Sequence, residues 1–291
     1  MPWCVRHAHT PSSTFSLVQY KTDPFSRFEQ RLWKEEGFRL GLIGKNHCFS
    51  TEEDLALFDT LLELGHGGAN GADWGRPPEA IREANRARRE MTPQNPRFGY
   101  ATTDAPLEDQ TTGLITNASV RFLEEHAEQH SDEPFVLWAS YPDPHEPWVC
   151  PEQYAAMFRG KVRLPPSRAN EFDEHAPQRN RVLHEMLGWD TDKEEDVLEL
   201  LACYYGMMRC VDDGLGQLLD TLSRLGLDED TIVVFTSDHG DFMGEHKQQC
   251  KGGVFYDCLT RVPLIVSWPG QPNRPAQGWR ERSLVSTIDV V

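Results

Sequence analysis

The chain has 291 residues, 38% of them hydrophobic and 26% charged, so its length and composition are those of a globular protein with one large domain or two modest ones. Its formal net charge of −17 excludes a general binder of nucleic acid or of anionic membranes, because both need surfaces rich in Lys and Arg. A small anionic substrate remains compatible with this charge, since a metal ion and a few cationic side chains can reverse the potential inside one pocket.

The sequence shows neither a predicted membrane span nor the pattern of a secretory leader. It has no run of about 18 apolar residues, and its start, MPWCVRHAHTPSSTFSL, lacks a basic segment followed by an apolar one. Its seven cysteines are scattered without a C-x-x-C pair, which favours free thiols in a reducing compartment. We therefore expect a cytoplasmic protein, with a periplasmic or secreted one as the alternative if the N-terminus is truncated. The sequence leaves homo-oligomer formation open.

The first part of the chain predicts helices that alternate with a short buried strand. Residues 1–25 are polar and irregular, whereas Phe25–Glu36 has helical spacing and leads through Gly37 into the apolar strand Phe38–Gly44. Asp54–Leu64 is predicted to be helical. Residues 65–112 are rich in turn-forming residues around one charged helix near residues 78–90, which predicts an insertion on the surface.

The second part repeats the alternation with longer elements. Thr112–His130 and Asp196–Leu225 have the apolar periodicity of amphipathic helices, and the latter is the longest in the chain. Residues 150–195 are predicted to form a second loop-rich insertion with short helices. Three continuous apolar runs predict buried strands, at Pro134–Ser140, at the TIVVF run before Ser237, and at Arg261–Gly270.

Alternating helices and apolar strands predict an α/β fold, with a central, mostly parallel sheet sandwiched by helices. We expect residues 1–291 to form one such domain. Ligands of these sheets gather at the carboxyl ends of the strands. The polar segments that follow Gly44, Ser140 and Ser237 all lie at such ends, so we expect them to converge.

The segment TSDHGDFMGEHKQQCKGG offers metal ligands and a cation. Asp238 supplies a hard anionic oxygen and His239 an imidazole nitrogen, and Gly240 permits the sharp turn that would bring both to one metal ion. Lys251 follows in the same loop, where its ammonium group could neutralise an oxygen of a bound sulfate or phosphate ester. A capping Asp beside a packed His is the alternative interpretation of the pair alone.

Two further loops present cationic or proton-transferring groups. In SYPDPHEPW, three prolines stiffen the backbone that carries His145, whose imidazole could protonate a leaving alkoxide, and Asp143 could orient it or merely cap the turn. In GLIGKNHCF, Lys45 and His47 are separated by one residue, so both side chains would face a ligand if the segment were extended.

These three segments resemble the sulfatase branch of the alkaline-phosphatase superfamily. GLIGKNHCF is similar to its G-K-x-H segment, and PFVLWASYPDPHEPW to its strand followed by a DPHxP loop. YYGMMRCVDDGLGQLLDTLSRLGLDEDTIVVFTSDHGDFMGEHKQQCKGGVFYDCLTRVPLIVSWPG is similar to its long helix, metal strand, lysine loop and next strand. The match covers about 38–50 and 134–291 of the chain. Having Asp-His rather than Asp-Asn is closest to the choline-sulfatase and phosphonate-monoester-hydrolase group.

The resemblance implies a role for each candidate residue. Asp238 and His239 would bind a divalent metal, which is calcium or manganese in the family, and the His ligand favours manganese or a related transition metal. Lys45 and Lys251 would bind the sulfuryl or phosphoryl oxygens. His47 and His145 would contact the ester and assist the leaving group. The implied substrate is a small anionic ester, a sulfate monoester first.

The sequence also departs from the family pattern. The family nucleophile is a formylglycine made from the Cys or Ser of a C-x-P-S-R or C-x-A-x-R segment, which this chain lacks, since Cys4 lies in CVRHAHT. No Asp-Asp pair precedes Lys45. We therefore expect a chain truncated at both ends and catalytically inactive as it stands. The alternatives are a phosphonate monoester hydrolase or phosphodiesterase on the same fold, and a non-catalytic paralogue that binds oxyanions.

Overall fold

The computed structural model of the chain describes residues 26–49, 51–65, 68–69, 73–89, 99–168, 175, 177–187, 193–251, 254–270 and 278–286. The helices in this part of the chain are α1 (Ser26–Glu35), α2 (Glu52–Leu55), α3 (Pro78–Arg89), α4 (Thr111–Gln129), α5 (Glu152–Ala156), α6 (Gln178–Leu187), α7 (Glu194–Arg224) and α8 (Asp257–Thr260). The strands are β1 (Arg39–Gly44), β2 (Thr60–Gly65), β3 (Gly68–Ala69), β4 (Tyr100–Thr103), β5 (Phe135–Ser140), β6 (Trp148–Pro151), β7 (Val233–Thr236) and β8 (Leu264–Ser267).

A four-stranded sheet in the order β3-β2-β1-β5 organises the first half of the structure. β1 pairs in parallel with both β2 and β5, and β3 adds an antiparallel edge. Every residue of β1 is buried, which is why its sequence is a nearly continuous apolar run. The one charged residue of this buried strand is Arg39. Its guanidinium pairs with Glu125 at 2.8 Å and lies 4.5 Å from the centre of the Phe122 ring.

Helices α4 and α7 pack against each other and divide the interior into two apolar clusters. One cluster joins α4 to the sheet and includes Ile43, Ile115 and Phe122. The other lies between α7, α5 and β6 and includes Trp148 and Met207. Because α4 is buried on most of its surface, it holds β1 and β5 in place from one face of the sheet.

Two strand pairs lie apart from this sheet. β4 and β6 run parallel to each other, whereas β7 and β8 are antiparallel and form their own two-stranded ribbon. Two apolar side chains of β8, Ile265 and Val266, are 62% and 52% exposed. The segment that carries Asp238 therefore leaves a strand that is not hydrogen-bonded to the four-stranded sheet.

The structure confirms the predicted α/β class, a parallel sheet with packed helices. The strands predicted at residues 38–44 and 134–140 and the helices at 112–130 and 196–225 are present within two residues of their expected bounds. The antiparallel ribbon β7–β8 departs from the predicted parallel order, and neither β4 nor β6 was predicted as a strand.

The helix predicted at Asp54–Leu64 is wrong. Helix α2 begins after Thr51, whose hydroxyl accepts a hydrogen bond from the backbone N–H of Asp54, and ends at Leu55. The apolar residues from Thr60 onward instead form β2, where Thr60 pairs with Gly41 of β1. Their spacing suits either element, and the available edge of a buried parallel strand decides between them.

The insertion predicted at residues 65–112 is only partly superficial. Its charged helix is α3, but Ile81 of that helix and the nearby Trp74 are buried in the same cluster as Leu114. Predictions for the irregular N-terminus and for Cys4 lie outside the described residues. No helix within the described ranges is long and apolar enough to cross a membrane.

Candidate active site

The first two predicted loops start side by side at one edge of the sheet. Gly44, the last residue of β1, pairs with Ser140, the last residue of β5, and the backbone N–H of Lys45 donates to the carbonyl of Ser140 at 2.9 Å. Gly44 has a φ of +115°, and a Cβ there would lie 2.0 Å from that same carbonyl oxygen. Only glycine fits this position, so the sequence fixes where the chain turns toward Lys45.

The segment after Lys45 is a turn rather than an extended strand. The side-chain oxygen of Asn46 accepts hydrogen bonds from the backbone N–H groups of Cys48 and Phe49, and its amide donates to Glu63 at 2.6 Å. Lys45 is half-buried, whereas His47 is exposed at the tip of the turn. The extended conformation on which the paired prediction depended is absent, and a ligand contact of His47 stays a prediction.

The proline-rich loop after β5 carries His145 against the protein interior. The backbone N–H of His145 donates to the carbonyl of Pro142 at 2.9 Å, and its Nδ1 lies 2.8 Å from the carbonyl oxygen of Glu146. A carbonyl oxygen can only accept, so Nδ1 carries the proton and Nε2 keeps a lone pair. The carboxylate of Asp143 accepts a hydrogen bond from the buried hydroxyl of Thr112 at 2.5 Å, which ties this loop to helix α4.

The Asp238-His239 pair is built by hydrogen bonds within its own turn. The His239 N–H donates to Asp238 Oδ1 at 3.0 Å, and the hydroxyl of Ser237 donates to the His239 carbonyl at 2.8 Å. Nδ1 of His239 lies 2.8 Å from the Gly240 carbonyl, which again leaves Nε2 with the free lone pair. The sequence analysis expected Gly240 to allow a sharp turn of the backbone, but its φ is not positive. It is required because a Cβ would lie 1.9 Å from the carbonyl oxygen of Cys258.

The loop between Asp241 and Lys251 has an unusual backbone. Four non-glycine residues have φ between +44° and +58°, namely Met243, His246, Lys247 and Cys250. The loop is closed by hydrogen bonds from the Phe242 N–H to the Cys250 carbonyl and from the Gly244 N–H to the Gln248 carbonyl. Left-handed backbone at residues with side chains is costly, so this packing is what holds the residue directly before Lys251 in place.

Lys251 is the most informative side chain of the group. Its ammonium nitrogen is buried and has no hydrogen-bond partner within the described residues, although an ammonium has three protons to donate. The carboxylate recorded beside it is Glu146, whose Oε2 lies 3.9 Å away. A buried cation without hydrogen bonds is unfavourable unless a ligand supplies acceptors.

The electrostatics join the three loops into one cluster. Burial lowers the pKa of Lys45, and the charge of Lys251 lowers it further, while the carboxylates of Asp238 and Glu146 partly oppose this. Burial and the charge of Asp238 also raise the pKa of the Cys48 thiol. Lys45, Asp238, Lys251 and the Glu146–His145 pair therefore lie close enough to influence each other's charge.

Two acidic residues that the sequence analysis did not single out belong to this cluster. Burial would raise the pKa of Glu146, but the adjacent His145 and Lys251 outweigh it and hold this pKa below its usual value. Burial raises the pKa of Asp241 to about 7, even though the Met243 N–H and the Lys251 charge act against the rise. Both residues lie within the quoted motifs, Glu146 directly after His145 and Asp241 two residues after His239, and this position was the only signal that the sequence offered.

The donor set is compatible with a divalent cation. Nε2 of His239 and Oδ2 of Asp238 are 3.6 Å apart, which a single ion can bridge because metal–ligand distances are about 2.0–2.6 Å. Both atoms carry free lone pairs, and Asp238 is partly exposed. Within the described ranges, no group of three or more His, Cys, Asp or Glu side chains could hold a metal. The pair thus fits as two donors of a site that needs further ligands.

The chain is similar to known proteins over most of its length. The family model described as Sulfatase matches residues 14–291. The chain is 33% identical over 155 residues to the "Uncharacterized sulfatase YidJ" of Escherichia coli, which covers 53% of this chain and 30% of that protein. It is 30% identical over 167 residues to a "Choline-sulfatase" of Rhizobium meliloti, which covers 56% of this chain and 32% of that protein. The matched regions thus span well under half the length of these relatives.

A solved structure shares the fold. The phosphonate monoester hydrolase of Agrobacterium radiobacter superposes with a TM-score of 0.57 at 22% identity, covering 82% of this chain and 52% of that one. At this identity the likeness is evidence for the fold alone.

Proposed function

Because the chain belongs to the sulfatase family, we propose that it carries the oxyanion-binding residues, and part of the metal site, of a sulfuric ester hydrolase that acts on sulfate monoesters. The observation that carries the proposal is the buried ammonium group of Lys251, which has no hydrogen-bond partner in the described structure and lies within electrostatic range of Lys45. Two cations held close together, one of them directly after the parallel strand β1, are stabilised when an anion binds between them.

The proposed roles follow from the chemistry and the position of each side chain. Lys45 and Lys251 bind the non-bridging oxygens of the ester and stabilise the charge that builds on them in the transition state. His145, whose Nδ1 is engaged by the Glu146 carbonyl, offers Nε2 to the leaving-group oxygen and, when protonated, donates a proton to it. His47 would contact the ester from the exposed turn after Lys45.

Asp238 and His239 would hold the divalent metal through a carboxylate oxygen and Nε2. When bound, the ion supplies Lewis-acid polarisation of the ester. Calcium and manganese are the two candidates, and the nitrogen ligand favours manganese. No nucleophile is assigned, because the family's C-x-P-S-R or C-x-A-x-R segment does not occur among the 291 residues. The proposal therefore covers binding of the ester and makes no claim about its hydrolysis by this chain.

The test is a titration of the chain with 4-nitrophenyl sulfate in which binding is measured by calorimetry. We expect binding in the presence of Mn²⁺, weaker binding in the presence of EDTA, and none of 4-nitrophenol, which lacks the anionic group. Binding of 4-nitrophenyl sulfate that is equal with and without metal would refute the metal role. Absence of binding under both conditions would refute the proposed function.

A phosphonate monoester is the second candidate substrate, because the two lysines and His145 suit a tetrahedral phosphonyl group equally well. Titration with 4-nitrophenyl phenylphosphonate under the same conditions separates the two. Release of 4-nitrophenol, followed by absorbance in the same samples, distinguishes an active hydrolase from an oxyanion-binding protein.

A further inference from the structure

Glu146 lies in the middle of the cationic cluster, where an anion-binding site would not be expected to place a carboxylate. Its Oε2 is buried, lies 3.0 Å from Nδ1 of His145 and 3.9 Å from Nζ of Lys251, and makes no hydrogen bond of good geometry within the described residues. Its charge also acts on Lys45 and on Asp241. A group that only neutralised Lys251 would be expected to form the bond at normal length.

The charges of the chain's own groups partly cancel there. Lys45 and Lys251 contribute two positive charges, and the carboxylate of Glu146 cancels one of them. The low pKa of Glu146 keeps it ionised at neutral pH. Asp238 would offset only one of the two charges of the divalent ion that it binds, so the ion would add to the positive side. The ligand therefore meets two hydrogen-bonding ammonium groups, and Glu146 cancels one of their two charges.

We infer that Glu146 is a specificity-determining residue that disfavours doubly charged oxyanions relative to singly charged ones. This inference rests on the proposed function. Sulfate monoesters, phosphate diesters and phosphonate monoesters carry one negative charge, whereas phosphate monoesters carry two above their second pKa of about 6. Repulsion by a fixed carboxylate doubles when the ligand charge doubles, so Glu146 weakens dianion binding more than monoanion binding.

The size of the effect follows from the distance. An oxyanion bound to Nζ of Lys251 would lie roughly 6–7 Å from the Glu146 carboxylate. For effective dielectric constants between about 80 and about 20, one unit of ligand charge at that distance changes affinity by about 3-fold to 75-fold. We take about tenfold as the expected change in preference when the carboxylate is removed.

The experiment compares 4-nitrophenyl sulfate and 4-nitrophenyl phosphate as ligands of the 291-residue chain at about pH 8, where the phosphate ester is a dianion. Dissociation constants are measured by calorimetry in the presence of Mn²⁺ for the unmodified chain, E146Q and E146D. The matched control is E133Q, because Glu133 makes a similar contact with His130 at 2.9 Å on the exposed end of α4. The measured quantity is the ratio of the dissociation constant for 4-nitrophenyl phosphate to the dissociation constant for 4-nitrophenyl sulfate.

In E146Q we expect the ratio to shift about tenfold toward the phosphate ester, while E146D, which keeps the charge, and E133Q leave it near the unmodified value. A ratio that changes less than about twofold in a folded E146Q that binds both ligands would overturn the inference and leave the proposed function intact. If E146Q does not fold, Glu146→Met, of similar volume, is measured against the same criterion. If the unmodified chain binds neither ester, the proposed function fails, and the inference fails with it.

Discussion

Removing the ammonium group of Lys251 should separate ligand affinity from protein stability. In Lys251→Ala, a bound oxyanion loses one charge-assisted hydrogen bond, which is worth roughly 1.5–3 kcal/mol, or about a 10- to 150-fold rise in the dissociation constant. The upper part of this range applies because Nζ is already buried and has no other hydrogen bond to give up when the ligand binds.

Stability should respond in the opposite sense. Lys251 has no hydrogen bond in the described structure, and its carboxylate neighbour lies beyond hydrogen-bond distance at 3.9 Å. Removing a poorly solvated charge therefore costs little, and the free energy of unfolding should stay equal or rise. A residue that merely supported the loop would behave differently, because its loss would lower both quantities together.

The assay is calorimetric titration with 4-nitrophenyl sulfate, paired with urea denaturation of the same samples. Lys161→Ala is the control, since it removes the same charge from an exposed turn after α5. An unchanged affinity in Lys251→Ala would remove Lys251 from the site. A loss of affinity that is matched by a loss of folded protein would refute the separation and indicate a structural role.

Two further substitutions test the framework around the site. Gly240→Ala places a Cβ 1.9 Å from the carbonyl oxygen of Cys258, and we expect it to lower the free energy of unfolding by about 1–3 kcal/mol. Gly216→Ala is the control, because Gly216 has open space around it in helix α7, and this substitution should raise the free energy of unfolding by up to about 1 kcal/mol. Equal melting temperatures for the two variants would refute the close contact at Gly240. Burial raises the pKa of Asp59, but hydrogen bonds from the Lys34 ammonium and from a backbone N–H lower it by more, so the pKa lies below its usual value. This stabilisation is complete above the unfolded pKa and is lost as pH falls through the folded one. Asp59→Asn should therefore be about 1 kcal/mol less stable than the unmodified chain at neutral pH, after allowance for the partial exposure of the pair, and the difference should vanish in urea titrations as pH falls below the folded pKa. A difference that stays constant over that range would contradict the assignment.

Continuous apolar runs allowed the sheet to be predicted. The run at residues 38–44 is buried on both faces, and that burial is why it has no polar alternation to confuse its assignment. The leucines after Asp59 fit the periodicity of a helix as well as that of a strand, so the helix predicted there was wrong. Only pairing with the edge of β1 selects the strand. The ribbon of β7 and β8 shows the same limit, since strand direction and partner depend on contacts between distant residues.

Some residues of the candidate site could be singled out from the sequence, and others could not. Residue types and spacing were sufficient to single out Lys45, His145 and Lys251 as candidates, and the structure brings them near one another, while their roles stay predictions. Residue types and spacing were insufficient for Glu146 and Asp241, since an acidic residue in a loop has no visible function until its burial and its neighbours are known. The turn that exposes His47 depends on hydrogen bonds of Asn46, which the assumption of an extended segment did not include.

The most direct test of one shared site is anomalous X-ray diffraction from crystals of the chain soaked with Mn²⁺ and vanadate. We expect one manganese peak bound by a carboxylate oxygen of Asp238 and Nε2 of His239, and beside it a vanadate that contacts the ammonium groups of both Lys45 and Lys251. Ordered manganese and vanadate at positions that neither lysine reaches would contradict a common ester-binding site.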